Sequence, residues 1–144
     1  MQRTRVALSS ATLVTAALLS ACGGTVSDEY VIMNDPGHVE KIEGSDLGLV
    51  TVRMDAVKRL RIQTTDVSES GSLLSVPVTA VFVDEVGQWW VYTNPRPGHY
   101  IRHEVSIEET HDARVLLSSG PAAGTAVVTV GAPELYGIEV GVDH

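Results

Sequence analysis

Apolar and polar residues alternate with a period of two along most of the chain after residue 48. Successive residues of a β-strand point to opposite faces of the sheet, so this alternation predicts half-buried strands. Seven segments carry the pattern, at a spacing of roughly ten residues. They are residues 49–54, 62–67, 71–85, 88–93, 100–109, 113–119 and 126–131. A parallel α/β fold would need long helical segments between the strands, and the pattern does not predict them.

Local signals place the turns and one short helix. Asp55 is a candidate N-cap, and Val57 and Leu60 stand three residues apart, which predicts a short helix after the first strand. Gly87, in "DEVGQ", is placed for a tight turn between two strands. Gly131 is expected to end the last strand, and "PELYG" to form a turn after it. The predicted fold is all-β, a small antiparallel barrel or sandwich with one short helix.

The predicted strand 71–85, which precedes the turn at Gly87, contains Pro77. The proline restricts the beginning of this strand to a sheet edge or a bulge. Its alternation predicts that four residues share one face: Val76, Val78, Ala80 and Phe82.

The N-terminus predicts export. Arg3 and Arg5 precede an apolar run that ends in "LSAC", with Cys22 as its last residue. This order matches a bacterial lipoprotein signal, in which residues 1–21 are removed and Cys22 is acylated. The alternatives are an ordinary signal peptide with a chance cysteine, or a membrane helix at the chain end. Cys22 is the single cysteine, which excludes an internal disulfide. We expect a protein anchored by lipid on an extracytoplasmic membrane face.

Composition separates a tether from a domain. Residues 22–48 are rich in Gly, Asp, Glu and Ser without a sustained period, which predicts a flexible tether, although "YVIM" within it could pair as an isolated strand. Residues 49–144 have the size of one small domain. The net charge of −8 argues against nucleic-acid binding.

The order of the segments resembles the periplasmic adaptor (membrane fusion protein) subunits of resistance-nodulation-division efflux systems. The resemblance lies in "VTVRMDAVKRLRIQTTDV", "VPVTAVFVDEVGQWWVYTN", "YIRHEVSI" and "VLLSSGPAAGTAVVTVGAPEL". It implies the β-rich membrane-proximal domain of that family, without the barrel, lipoyl-like and helical-hairpin domains. It further implies an accessory or truncated adaptor that docks on an inner-membrane transporter or a full-length adaptor. Arg61 departs from the family, which usually has glycine at this position, and this leaves the local turn in question.

Trp89 and Trp90 are consecutive in a predicted strand, so one ring faces the core and the other the surface. Trp90 matches the family's "WVYT", which leaves Trp89 to be explained. Either the tether or a neighbouring strand covers Trp89, or Trp89 anchors a partner. In the second interpretation, Tyr92, Tyr100 and Arg102 are candidates to lie beside it.

The sequence contains no recognisable catalytic motif, and we expect neither an enzyme nor a cofactor site. Histidines are scattered without metal-ligand spacing: His38, His99, His103, His111 and His144. "HD" at residues 111–112 predicts a hairpin loop. The rival hypotheses are a lipoprotein that captures a metal ion or small molecule for export, and a structural surface lipoprotein.

Overall fold

The structure, a computed structural model, describes residues 35–141. The predicted signal peptide, the lipidation residue Cys22, the segment "YVIM" and His144 lie outside the described residues. Within residues 35–141 the chain forms eleven β-strands, two α-helices and one 3₁₀ turn.

The strands fall into two groups by the sheet they join. The first sheet contains β1 (Gly37–Lys41), β2 (Gly48–Val52), β3 (Gln63–Asp66), β6 (Phe82–Val83), β7 (Trp89–Arg96), β8 (His99–Glu104) and β11 (Ala126–Val130). The second contains β4 (Ser68–Ser70), β5 (Leu73–Pro77), β9 (Ser106–His111) and β10 (Arg114–Ser119). The helices are α1 (Met54–Arg59) and α2 (Ala132–Gly141), and the 3₁₀ turn is Val78–Ala80.

Every strand pairing in the described chain is antiparallel. The first sheet has the order β1-β2-β8-β7-β11-β3, with β6 added on β7, and the second has the order β4-β5-β10-β9. The predicted all-β antiparallel class is confirmed. Of the two predicted architectures, the sandwich fits these two sheets, and the barrel is not confirmed.

The first sheet buries both of its faces, because consecutive residues of its central strands enter different cores. Val91 and Val127 pack against the second sheet, whereas Tyr92 and Val128 pack on the side of the helices. Ala56 of α1 and Leu135 of α2 complete the second of these cores. A strand that is buried on both faces needs apolar residues at successive positions. This accounts for the runs "WWVY" and "AVV".

The chain passes from one sheet to the other at two valines. Val105 divides the predicted strand 100–109 into β8 and β9, and Val67, the last residue of the predicted strand 62–67, separates β3 from β4. Both valines are buried in the core between the sheets. A residue that turns such a corner keeps its apolar character, so the alternation alone did not reveal the break.

The strand predicted to continue past Pro77 does not do so. β5 ends at Pro77, and the 3₁₀ turn leaves Val78 43 % exposed while Val76 and Ala80 are buried. Phe82 packs in the helix-side core, whereas Val76 and Ala80 lie in the core between the sheets. The prediction that the four side chains share one strand face was therefore wrong at Val78 and at Phe82. Proline lacks the N–H that would extend the sheet, which favours an end of the strand here.

The helices also differ in detail from the prediction. The short helix forms as α1, but Arg53 is its N-cap residue and Asp55 lies inside the first turn. The predicted turn at "PELYG" is part of the ten-residue helix α2. Pro133 is tolerated there because N–H groups in a first helical turn have no partner within the helix. The sheet also begins earlier than residue 49, since β1 lies in the range assigned to the tether and pairs with β2.

Candidate docking surface

The β6–β7 hairpin carries Trp89 at the start of its second strand. Its turn is organised by Asp84. The carboxylate Oδ1 of Asp84 accepts hydrogen bonds from the backbone N–H of Val86 at 3.0 Å and of Gln88 at 2.8 Å. The backbone N–H of Asp84 donates to the carbonyl of Gln88 at 3.0 Å, and Gly87 adopts a φ of 87°. The predicted turn at Gly87 is confirmed, and side-chain as well as backbone bonds hold it.

Three large apolar side chains are exposed on this hairpin. Val83 is 48 % exposed, Val86 at the apex 88 %, and Trp89 42 %. Val83 and Trp89 are directly paired across the two strands. We call these three residues the hairpin tip. A group of exposed apolar side chains on a well-ordered turn is typical of an interaction surface.

The second tryptophan connects the turn to the body of the domain. The indole Nε1 of Trp90 donates to Oδ2 of Asp84 at 2.9 Å. On the same ring, the guanidinium carbon of Arg102 lies 4.7 Å from the ring centroid, and the Tyr136 ring is 5.6 Å from that carbon. A guanidinium over an indole face is held by the negative potential of the ring.

Glu139 of α2 binds this guanidinium from the other side. The Nε of Arg102 lies 3.0 Å from the Glu139 carboxylate, and the two side chains are only 14 % and 5 % exposed. The Tyr92 hydroxyl donates to the same carboxylate at 2.5 Å, and the backbone N–H of Gly48 at 3.3 Å. Burial, followed by the neighbouring Glu139 carboxylate, raises the pKa of Tyr92 above its usual range. These hydrogen bonds give the oxygens of a nearly buried carboxylate the partners that burial would otherwise deny them.

Trp90, Tyr92, Arg102, Tyr136 and Glu139 together form what we call the Arg102 cluster. Through Trp90 and Asp84, the Arg102 cluster links the C-terminal half of α2 to the turn of the hairpin. The hairpin tip is therefore supported by a packed and hydrogen-bonded base. A surface whose backbone is fixed beforehand loses less conformational entropy when a partner binds.

The four predicted partner-binding residues differ in their exposure to solvent. Trp89 is exposed, as the interface hypothesis requires. Tyr92 and Tyr100 are buried in the core on the helix side, so the expectation that they lie on a surface beside Trp89 was wrong. Arg102 is largely covered and is engaged with Glu139. The sequence pattern assigned no functional role to four residues of this region: Val83, Asp84, Val86 and Glu139.

Two shallow grooves border Arg102. One, of about 470 Å³, lies between β1, β2 and α2. The other, of about 420 Å³, is lined by Trp90, His103 and Glu104 among others. The guanidinium within both is already bound to Glu139, so neither groove offers it as a free cation for a ligand.

Three of the described histidines make local contacts. The Nε2 of His38 lies 3.2 Å from the carboxylate of Glu40. The Nε2 of His111 lies 3.4 Å from the carboxylate of Asp112, in the β9–β10 loop. The Nδ1 of His99 lies 3.0 Å from the carbonyl oxygen of Pro97. Among residues 35–141, no group of three or more His, Cys, Asp or Glu side chains is arranged to hold a metal ion. No helix in the same range has the length and apolar character needed to cross a bilayer.

Comparison of the chain with protein-family models, with curated proteins and with solved structures found no match.

Proposed function

We propose that this chain is a lipid-anchored accessory subunit, comparable to a truncated efflux adaptor, whose β domain docks on an inner-membrane transporter. Two features of the sequence support the location: the export signal with Cys22 at its end, and the ordered similarity to membrane-proximal adaptor domains. Acylation at Cys22 would keep the domain at a membrane surface, where a transporter is accessible.

The exposure of Trp89 on an ordered hairpin is the observation that carries the docking proposal. Tyr92 on the same strand and Tyr100 on the neighbouring strand β8 are buried, so the exposure of Trp89 is not typical of the aromatic residues of this sheet. Tryptophan is enriched among the residues that dominate binding energy at protein interfaces. Its cross-strand partner Val83 is also exposed, and Val86 adds exposed apolar area at the apex of the same hairpin.

In-cell photo-cross-linking tests the proposal. A photoreactive amino acid replaces Trp89, and mass spectrometry identifies the adducts. The matched control carries the same amino acid at Glu109, an exposed position on β9 in the other sheet. We expect an inner-membrane transporter to be captured from position 89 and not from position 109.

A Cys22→Ser variant tests the anchor in the same cells. We expect this variant to leave the membrane fraction and to lose most of the transporter adduct, because the anchor raises the local concentration of the domain. A folded, membrane-bound protein that yields no transporter adduct from position 89 contradicts the proposal.

A further inference from the structure

The hairpin tip is apolar and is bordered by an acidic residue at its apex. Glu85 lies exposed there, beside Val86. Residues 82–91 include no lysine or arginine. An incoming surface therefore meets apolar side chains that are bordered by a carboxylate.

We infer that the hairpin tip inserts into an apolar pocket of a protein partner, and that lysine or arginine residues border this pocket. The inference rests on the proposed function in one respect, that the domain docks on another protein. It adds the element that docks and the chemistry of the surface that receives it. Opposite charges around an apolar contact accelerate association and disfavour wrong partners.

The acidic border distinguishes this occupant from a lipid surface. Membranes that carry anionic phospholipids attract basic segments and repel carboxylates. The hairpin offers the exposed Glu85 carboxylate and no lysine or arginine among residues 82–91, and the whole chain has a net charge of −8. This negative charge would oppose insertion of the hairpin tip into an anionic bilayer.

The same border argues against a second copy of the chain. A two-fold contact between two hairpin tips would bring the Glu85 carboxylates of both copies into the same rim. Like charges that face one another across an interface lower affinity. A partner with basic residues around its pocket removes this repulsion and gains attraction.

Val86 is the position from which to test the inference. Its side chain is 88 % exposed, and its backbone is held by Asp84, so a photoreactive residue there leaves the fold in place and reports on what lies above the apex. The adduct is digested, and the partner peptide is sequenced. We expect a peptide that contains apolar residues with lysine or arginine close by.

Charge reversal supplies the second readout. We expect Glu85→Lys to reduce capture from position 86 by roughly fivefold or more, because it places a cation against a basic rim. The matched control is Glu109→Lys, an equal change of charge on β9, for which we expect a change of less than about twofold. Circular dichroism of both purified variants confirms that they are folded.

Four results overturn the inference: a lipid adduct, an adduct between two copies of the chain, a partner peptide without basic residues, or no adduct from a folded protein. Equal effects of the two charge reversals overturn it as well. Failure here is separable from failure of the proposed function. If a transporter is captured from position 89 but not from position 86, the inference fails and the proposed function stands. If the captured peptide comes from a basic-rimmed pocket on a protein other than a transporter, the proposed function fails and the inference stands.

Discussion

The carboxylate of Glu139 lies 3.0 Å from the Nε of Arg102, and this ion pair joins the C-terminal half of α2 to the centre of β8. The Tyr92 hydroxyl shares the carboxylate, and the Trp90 ring lies under the guanidinium. The pair therefore connects the helix layer to the strand that begins with Trp89. Three observable consequences concern the stability of this region, and a fourth concerns the end of α1.

Removal of Glu139 tests the ion pair. We expect Glu139→Ala to lower the free energy of unfolding by about 3 kcal/mol, because it leaves a nearly buried guanidinium and the Tyr92 hydroxyl without their acceptor. Urea denaturation measures this. The matched control is Asp55→Ala in the solvent-exposed Arg53–Asp55 pair, where we expect an almost unchanged midpoint. If the urea midpoint falls equally in the two variants, the Arg102 cluster contributes no more to stability than a surface ion pair does.

The two neighbouring tryptophans should separate stability from binding. We expect Trp90→Ala to destabilise the domain by about 2 kcal/mol or more, since it removes the Asp84 hydrogen bond and the ring beneath Arg102. For Trp89→Ala, where the side chain is partly in solvent, we expect a loss of about 1 kcal/mol or less.

Urea denaturation of both variants gives these values, and cross-linking from position 86 gives partner capture. Trp89→Ala should weaken capture while the domain stays folded. If Trp89→Ala unfolds the domain as readily as Trp90→Ala, Trp89 is a packing residue and not an interface anchor.

Arg61 occupies a backbone conformation that favours glycine. Its φ is 54°, and α1 ends in a Schellman motif, with Arg61 N–H donating to the carbonyl of Lys58 and Ile62 N–H to that of Val57. The resemblance left the local turn in question, because Arg61 stands where the adaptor family usually has glycine. In this chain the turn forms. We expect Arg61→Gly to raise the free energy of unfolding by about 0.5–1 kcal/mol, by relief of the left-handed strain.

Arg61→Ala is the control for that change, because it removes the same long side chain but keeps Cβ. We expect alanine to leave stability close to that of the parent chain. Thermal and urea unfolding compare the three proteins. Glycine and alanine variants of equal stability would show that the backbone at this position is not strained.

Acid should loosen the turn of the hairpin. Partial desolvation raises the pKa of Asp84, but the hydrogen bonds from Trp90, Gln88 and Val86 outweigh it and hold the pKa below its ordinary value of 3.8. A carboxyl with a lower pKa in the folded state stabilises that state when it is ionised. The contribution is thus complete above pH 3.8 and is lost as the pH falls through the lower folded-state pKa.

Amide hydrogen exchange of Val86 and Gln88, followed by NMR from about pH 6 to about pH 2, measures this loosening. After correction for intrinsic exchange, protection should fall at the acidic end. Asp84→Asn keeps an acceptor oxygen but does not titrate, so its protection should not show this acid-dependent step. A parent chain whose protection is unchanged to the lowest pH would contradict the assignment of the turn to the ionised carboxylate.

The sequence by itself determined the class of the fold and the hairpin that carries Trp89. A period of two over short segments, interrupted by glycine and proline, leaves few alternatives to antiparallel strands, because only that geometry places every second residue in a core. It also indicated that one of two consecutive tryptophans must face outward. Both statements depend on local geometry alone.

The tertiary structure decided what depends on residues that are distant in sequence. Val67 and Val105 turn corners between the sheets, yet in the sequence they continue an ordinary alternation. α2 has no clear apolar stripe, and its place is set by Leu135 in the core and by Glu139 on Arg102.

The burial of Tyr92 follows from the same cause, since a helix covers the face of the sheet from which this side chain points. Alternation shows that a residue has two possible faces, but packing of other elements decides which face meets solvent. For that reason the sequence identified Trp89, while the apolar tip around it and the ion pair beneath it became visible only in the folded chain.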